Sequence, residues 1–81
     1  MKVRIKFFAI LRERAGVSEA TKEIAAGGTV ADLWRQLQGE YPKLDVPGIR
    51  LLYAVNQNYV GVDHELNEND EVVFVPPVSG G

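Results

Sequence analysis

With 81 residues, 46% of them apolar and 25% charged, the chain has the composition of one ordinary globular domain and is too short to add a separate catalytic lobe. A formal net charge of -2 supplies no phosphate-neutralising surface, so nucleic acid is not an expected partner. The lack of cysteine removes disulfides, thiolate metal sites and cysteine nucleophiles, and the one histidine, His64, cannot build a His-rich metal site.

In chain order, Lys2 to Ala9 alternates as a half-buried strand, with Val3, Ile5 and Phe7 on one face and Lys2, Arg4, Lys6 and Phe8 on the other. Phe8 is the apolar exception on the charged face. The charges also interrupt this apolar stretch, so neither a membrane span nor a signal peptide is expected, and a cytoplasmic location follows. Ile10 to Ala15 reads as a short helical or turn segment closed by Gly16, and Thr21 to Ala25 as a weaker strand ended by Gly27-Gly28. Thr29 is a good N-cap with Asp32 three residues on, and Val30, Leu33, Trp34, Leu37 and Tyr41 follow as one apolar stripe until Pro42 ends the helix. Trp34 is read as packing in that stripe.

Lys43 to Gly48 has loop composition. Leu51 to Val55 and Tyr59 to Val62 read as a hairpin around Asn56-Gln57-Asn58, residues that include good formers of positive-φ turns. Asp63 to Asp70 is a polar turn anchored by Leu66, and its acids lack the spacing of a calcium loop. Glu71 to Val75 is the last strand. The expected core is Val3, Ile5, Phe7, Val30, Leu33, Leu37, Leu52 or Tyr53, and one parity of Val72 to Val75.

One amphipathic helix across a mixed sheet is an α+β arrangement with one sheet face left open. Phe8, the outward pair of the last strand and Tyr59 are therefore candidates for an exposed apolar patch of the kind that marks protein partners. Beyond the last strand, Pro76 and Pro77 fix φ and suppress further pairing, so Val78, Ser79, Gly80 and Gly81 are expected to project as a stiffened arm. A Gly-Gly end is thin enough to enter a narrow channel, which makes the terminal carboxylate of Gly81 the candidate reactive group. Two parts are expected: a folded body over residues 1–75 and a tail over residues 76–81. With no phosphate loop and no cluster of catalytic side chains, the chain is not expected to be an enzyme by itself.

Four stretches carry a family resemblance: Phe7-Phe8-Ala9-x-Leu11-Arg12-Glu13, Thr29-Val30-x-x-Leu33, Ala54-Val55-Asn56-Gln57, and Asp70-Glu71-Val72 followed by Phe74-x-Pro76-Pro77-Val78-Ser79-Gly80-Gly81. With this order of elements they resemble the ubiquitin-like β-grasp fold, and in detail the sulfur carriers that serve as small subunits of molybdopterin synthase. The one departure is Asn69, where that family usually has Gly, and Asn also reaches the left-handed conformation.

The resemblance implies that Gly81 is adenylated by a ubiquitin-activating-type adenylyltransferase that uses ATP, and that a sulfur donor protein then converts it to a thiocarboxylate. It further implies a large synthase subunit, in a heterotetrameric enzyme, that accepts the tail and uses its sulfur to turn precursor Z into the molybdopterin dithiolene. No stably bound cofactor is implied, and the family's docking positions fall on Phe8, Tyr59 and Val75. Related alternatives are a sulfur carrier of thiamin or cysteine synthesis and a ubiquitin-related modifier that joins the same Gly81 to lysines of other proteins.

Overall fold

The computed structural model describes residues 1–45 and 50–76. Its elements are β1 (Lys2–Phe7), α1 (Ala9–Ala15), β2 (Glu19–Glu23), α2 (Val30–Glu40), a 3₁₀ turn (Pro42–Leu44), β3 (Leu52–Val55), β4 (Asn58–Val60) and β5 (Glu71–Val75). They form one five-stranded sheet in the order β2-β1-β5-β3-β4. The first and last strands pair in parallel at its centre, from Arg4 opposite Glu71 to Phe7 opposite Phe74, and every other pairing is antiparallel. With α2 contributing its apolar stripe to the core, this is the ubiquitin-like β-grasp and meets the α+β expectation. Pro77 to Gly81, the greater part of the expected arm, lie outside the described residues, as do Val46 to Ile49 of the loop.

The core forms where the inward parity of three strands meets two helices. Val3, Ile5 and Phe7 of β1 join Val72 and Phe74 of β5 and Val30, Leu33 and Leu37 of α2, all buried. Phe74 gathers the aromatics: Trp34 lies over it with ring centroids 4.8 Å apart, Tyr53 meets it edge-on at 5.8 Å, and Phe7 stacks at 6.5 Å. Of the alternatives Leu52 and Tyr53, Tyr53 faces inward and Leu52 points away, because Tyr53 is the residue paired with Phe74. Leu11, Ile24, Leu44, Val55 and Leu66 complete the buried cluster.

Local chemistry fixes the ends of these elements. Asp32 N–H donates to Thr29 Oγ1 at 3.2 Å while Thr29 N–H donates to Asp32 Oδ2 at 2.9 Å, a full capping box. The bond from the Thr29 N–H foremost, with the Thr29 side chain beside it, holds the Asp32 carboxyl below its usual range. Gly16 closes α1 at φ +79°, and Asn69 takes φ 66°, the left-handed geometry anticipated for it.

Several boundaries differ from expectation: β1 stops at Phe7 rather than Ala9, which opens α1, and β4 runs over Asn58–Val60 rather than Tyr59 to Val62, because the turn takes two residues. The second strand runs over Glu19–Glu23 rather than Thr21 to Ala25, because its ladder is set by the reach of β1, from Lys6 opposite Glu19 to Lys2 opposite Glu23. Ile24 then turns into the core. In the loop expected over Lys43 to Gly48, Leu44 is fully buried by a 3₁₀ turn, a placement no periodicity could signal for one leucine among polar residues.

At the β2 edge, Lys22 pairs with Glu40 of α2 and lies 5.1 Å from the centre of the Tyr41 ring. The hydrogen bond between them raises the Lys22 pKa above 10.5 and lowers that of Glu40 below 4.5. Stability from the depressed carboxylate is present above pH 4.5 and lost as pH falls through its folded value. Stability from the raised ammonium is present below pH 10.5 and lost as pH rises through its folded value.

Two outcomes are expected in chemical melts. Leu33→Ala should cost roughly 2 to 5 kcal/mol, since it deletes buried transfer energy and leaves a cavity; an unchanged midpoint would place α2 wrongly. Lys22→Met should lower stability at neutral pH, with the deficit shrinking toward both the acidic and the alkaline limit.

Candidate docking face and tail exit

Alternation dictates what the uncovered side of the sheet presents. The residues opposite in parity to the core are Glu19, Thr21 and Glu23 on β2, Lys2, Arg4 and Lys6 on β1, Glu71, Val73 and Val75 on β5, Leu52 and Ala54 on β3, and Tyr59 on β4. The face is thus divided. Its β2–β1 half is charged and internally compensated: Arg4 and Lys6 lie 3.8 and 3.6 Å from Glu71, and Lys6 also lies 3.9 Å from Glu19.

The β5–β3–β4 half is apolar. Val75 pairs with Leu52, Val73 with Ala54, and Ala54 with Tyr59, so these side chains form two adjacent rows across three strands. Phe8 follows Phe7, whose partner is Phe74, and so sits at the level of Val75 on the same side. Tyr59 is 72% exposed, Leu52 51% and Phe8 46%, large apolar groups left in water together. Val73 and Val75 are half-buried.

The three expected docking residues, Phe8, Tyr59 and Val75, are therefore brought onto one face. Leu52 belongs with them and was missed as a site residue. The signal for it was the parity of the hairpin, which two turn residues rather than three would have fixed. Ala9, directly after Phe8, has φ 53°, a left-handed value that costs a residue with a Cβ about 1–2 kcal/mol. This turn redirects the chain from β1 into α1, with Phe8 left on the outside.

Pro76 follows β5 at the edge of the apolar rows and is half-buried. The other tail residues, Pro77, Val78, Ser79, Gly80 and Gly81, lie outside the described residues. Among the described residues no group of three His, Asp or Glu could hold a metal, and no helix is long and apolar enough to cross a membrane. Two surface recesses flank β1, one lined by Arg4, Lys6, Glu19 and Glu71, the other by Phe8, Arg12 and Ser18.

Comparison with known proteins defines the class of this chain. The chain belongs to the ThiS family, whose model matches residues 5–81. It is 42% identical over 82 residues to the molybdopterin synthase sulfur carrier subunit of Escherichia coli, covering 98% of this chain and 99% of that one. SAMP1 from Haloferax volcanii superposes with a TM-score of 0.89 over the full length of both chains at 26% identity. Subunits 1 and 2 of the molybdopterin-converting factor from Helicobacter pylori form a complex in which a chain of the same fold matches at TM-score 0.69 and 22% identity, covering all of both chains.

Because the patch is outside the core, Phe8→Asp and Tyr59→Ser should each shift the denaturation midpoint by no more than about 0.5 kcal/mol equivalent. A loss of several kcal/mol in a urea melt would show that these side chains support the fold.

Proposed function

We propose that the chain is the sulfur-carrying small subunit of a molybdopterin synthase, with Gly81 as the sulfur-bearing residue. The observation that carries this reading is the apolar surface of Phe8, Leu52, Val75 and Tyr59 beside the point where β5 leads into Pro76 and the Gly-Gly end. The body docks, and the end reacts elsewhere.

A carboxylate is a poor electrophile, and nothing among the described side chains activates one. Activation therefore falls to an adenylyltransferase: a Gly81 oxygen attacks the α-phosphate of ATP and pyrophosphate leaves. Sulfur delivered by a donor protein then displaces AMP from the acyl carbon and leaves a thiocarboxylate. In the large subunit that sulfur bonds to a carbon of precursor Z in place of an oxygen, and water cleaves the acyl–sulfur bond to return Gly81 as a carboxylate, two rounds giving the dithiolene. The chain contributes proximity, holding a reactive end where a partner's active site can reach it. The Helicobacter pylori complex of subunits 1 and 2 supports a large-subunit partner.

A second reading has its own support. The similarity to SAMP1, which is a small archaeal modifier protein, favours use of the same activated end to modify other proteins. The two readings share adenylation and part at the acceptor, sulfur in one and a lysine amine in the other.

Incubation with the adenylyltransferase, ATP and a sulfur donor should exchange one terminal oxygen for sulfur, seen by intact-mass analysis, and deletion of Gly81 should abolish the exchange. Sulfur uptake by the truncated chain would sink the carrier reading. Abundant lysine conjugates without thiocarboxylate would favour the modifier. Titration of the large subunit with Phe8→Asp should show a loss of at least about 2 kcal/mol of binding, as for an aromatic anchor.

A further inference from the structure

Two polar side chains from the stretches Ala54–Gln57 and Asp70–Val72 meet at the end of the sheet remote from the tail. Asn56 Nδ2 donates to Asp70 Oδ1 at 2.8 Å, and Asn56 Oδ1 accepts from Glu71 N–H at 3.0 Å. Their backbones join as well, Asn56 N–H donating to the Glu71 carbonyl at 2.9 Å. Asp70 is the buried polar residue among the described ones, and its second oxygen accepts from Asn67 N–H at 2.8 Å. Its carbonyl accepts from Arg4 N–H at 2.9 Å, which ties the same junction to β1.

The hairpin needs such a tie. β4 has three residues and pairs with β3 alone, so Tyr59 stands on the short edge strand of the five-stranded sheet, held by its ladder to β3 and by the turn, while β3 is itself paired with β5. The turn itself asks only for residues that accept positive φ, and Asn56 and Gln57 have φ 50° and 72°. Glycine at position 56 would satisfy that demand. Asparagine adds a donor and an acceptor on one side chain, and both are used to fasten the turn to the start of β5.

We propose that Asn56 and Asp70 form a clamp that sets the position of Tyr59 on the docking face, which makes Asn56 a positioning residue for partner binding. The inference rests on the docking reading above. Fastening the turn to the start of β5 fixes where the edge strand β4 begins, and Tyr59, two residues beyond Gln57, then meets the partner at a set height above Ala54 without first having to be ordered. The ordering cost is met on folding instead of on binding.

Asn56→Gly keeps the turn and removes the clamp. It should speed hydrogen exchange over Asn58–Val60 while leaving β1 and β2 unaffected, and should weaken binding to the synthase large subunit by up to roughly tenfold, the size expected when one side chain must be ordered on binding. That loss should be nearly absent when tested on Tyr59→Ala and undiminished on Phe8→Ala. Asn56→Asp should also weaken binding, since it sets two carboxylates together, and adding Asp70→Asn should restore it, because the exchanged pair can remake every bond. An equal loss in the Tyr59→Ala and Phe8→Ala backgrounds, or no loss at all, would overturn the clamp while leaving the docking reading intact. Unchanged affinity for Tyr59→Ala alone would overturn both.

Discussion

The parallel pairing of β1 with β5 is the constraint on which the remainder depends. It joins the beginning of the domain to its end, so nearly the whole chain lies in the loop that this pairing closes. Such non-local pairing is entropically costly to close, and here it is supported by fully buried packing, Ile5 and Phe7 beside Val72 and Phe74 with Trp34 above. A parallel pair also fixes direction. Both strands leave the sheet at the same end, and so Phe8 and Pro76 emerge as neighbours. The exit of the tail and the first aromatic of the docking face are consequences of one register.

In the proposed reading, the same sheet explains how a chain whose partners hold the catalytic groups can serve a reaction. Its covered face holds the body rigid and its open face separates charge from apolar surface. Lys6, Arg4, Glu19 and Glu71 satisfy one another, a network worth little to stability at an exposed site but sufficient to leave no strong net field beside the apolar rows. Apolar contact can then be made with little desolvation of unpaired charge. In the proposed reaction the chemistry is supplied by partners, and what this chain supplies is a place to hold and an end to offer.

Much of this was legible in the sequence where a pattern extends over several residues. The alternation of Val3, Ile5 and Phe7, the stripe from Val30 to Leu37 and the capping pair Thr29 and Asp32 each repeat a geometric rule often enough to be read. Single residues were another matter. Leu44 carries no period, and its burial comes from the 3₁₀ turn that packs it under the end of α2. Leu52 and Tyr53 are equally apolar, and only the pairing of β3 with β5 decides which of them meets Phe74. The edge strand β2, polar but for Ala20, took its limits from its neighbour because its own residues define none.

By itself the sequence determined that the domain is α+β, that α2 covers a sheet, that one sheet face stays open and that Phe8 departs from the charged parity of its strand. Local periodicity and capping are short-range physics, and short-range physics is written in consecutive residues. Only the tertiary structure decided the strand order, the gathering of Phe8, Leu52, Val75 and Tyr59 on one half of the open face, and the meeting of Asn56 with Asp70. Those depend on which strands become neighbours and in what register, and a one-residue slip in any ladder would have sent each of these side chains to the opposite face.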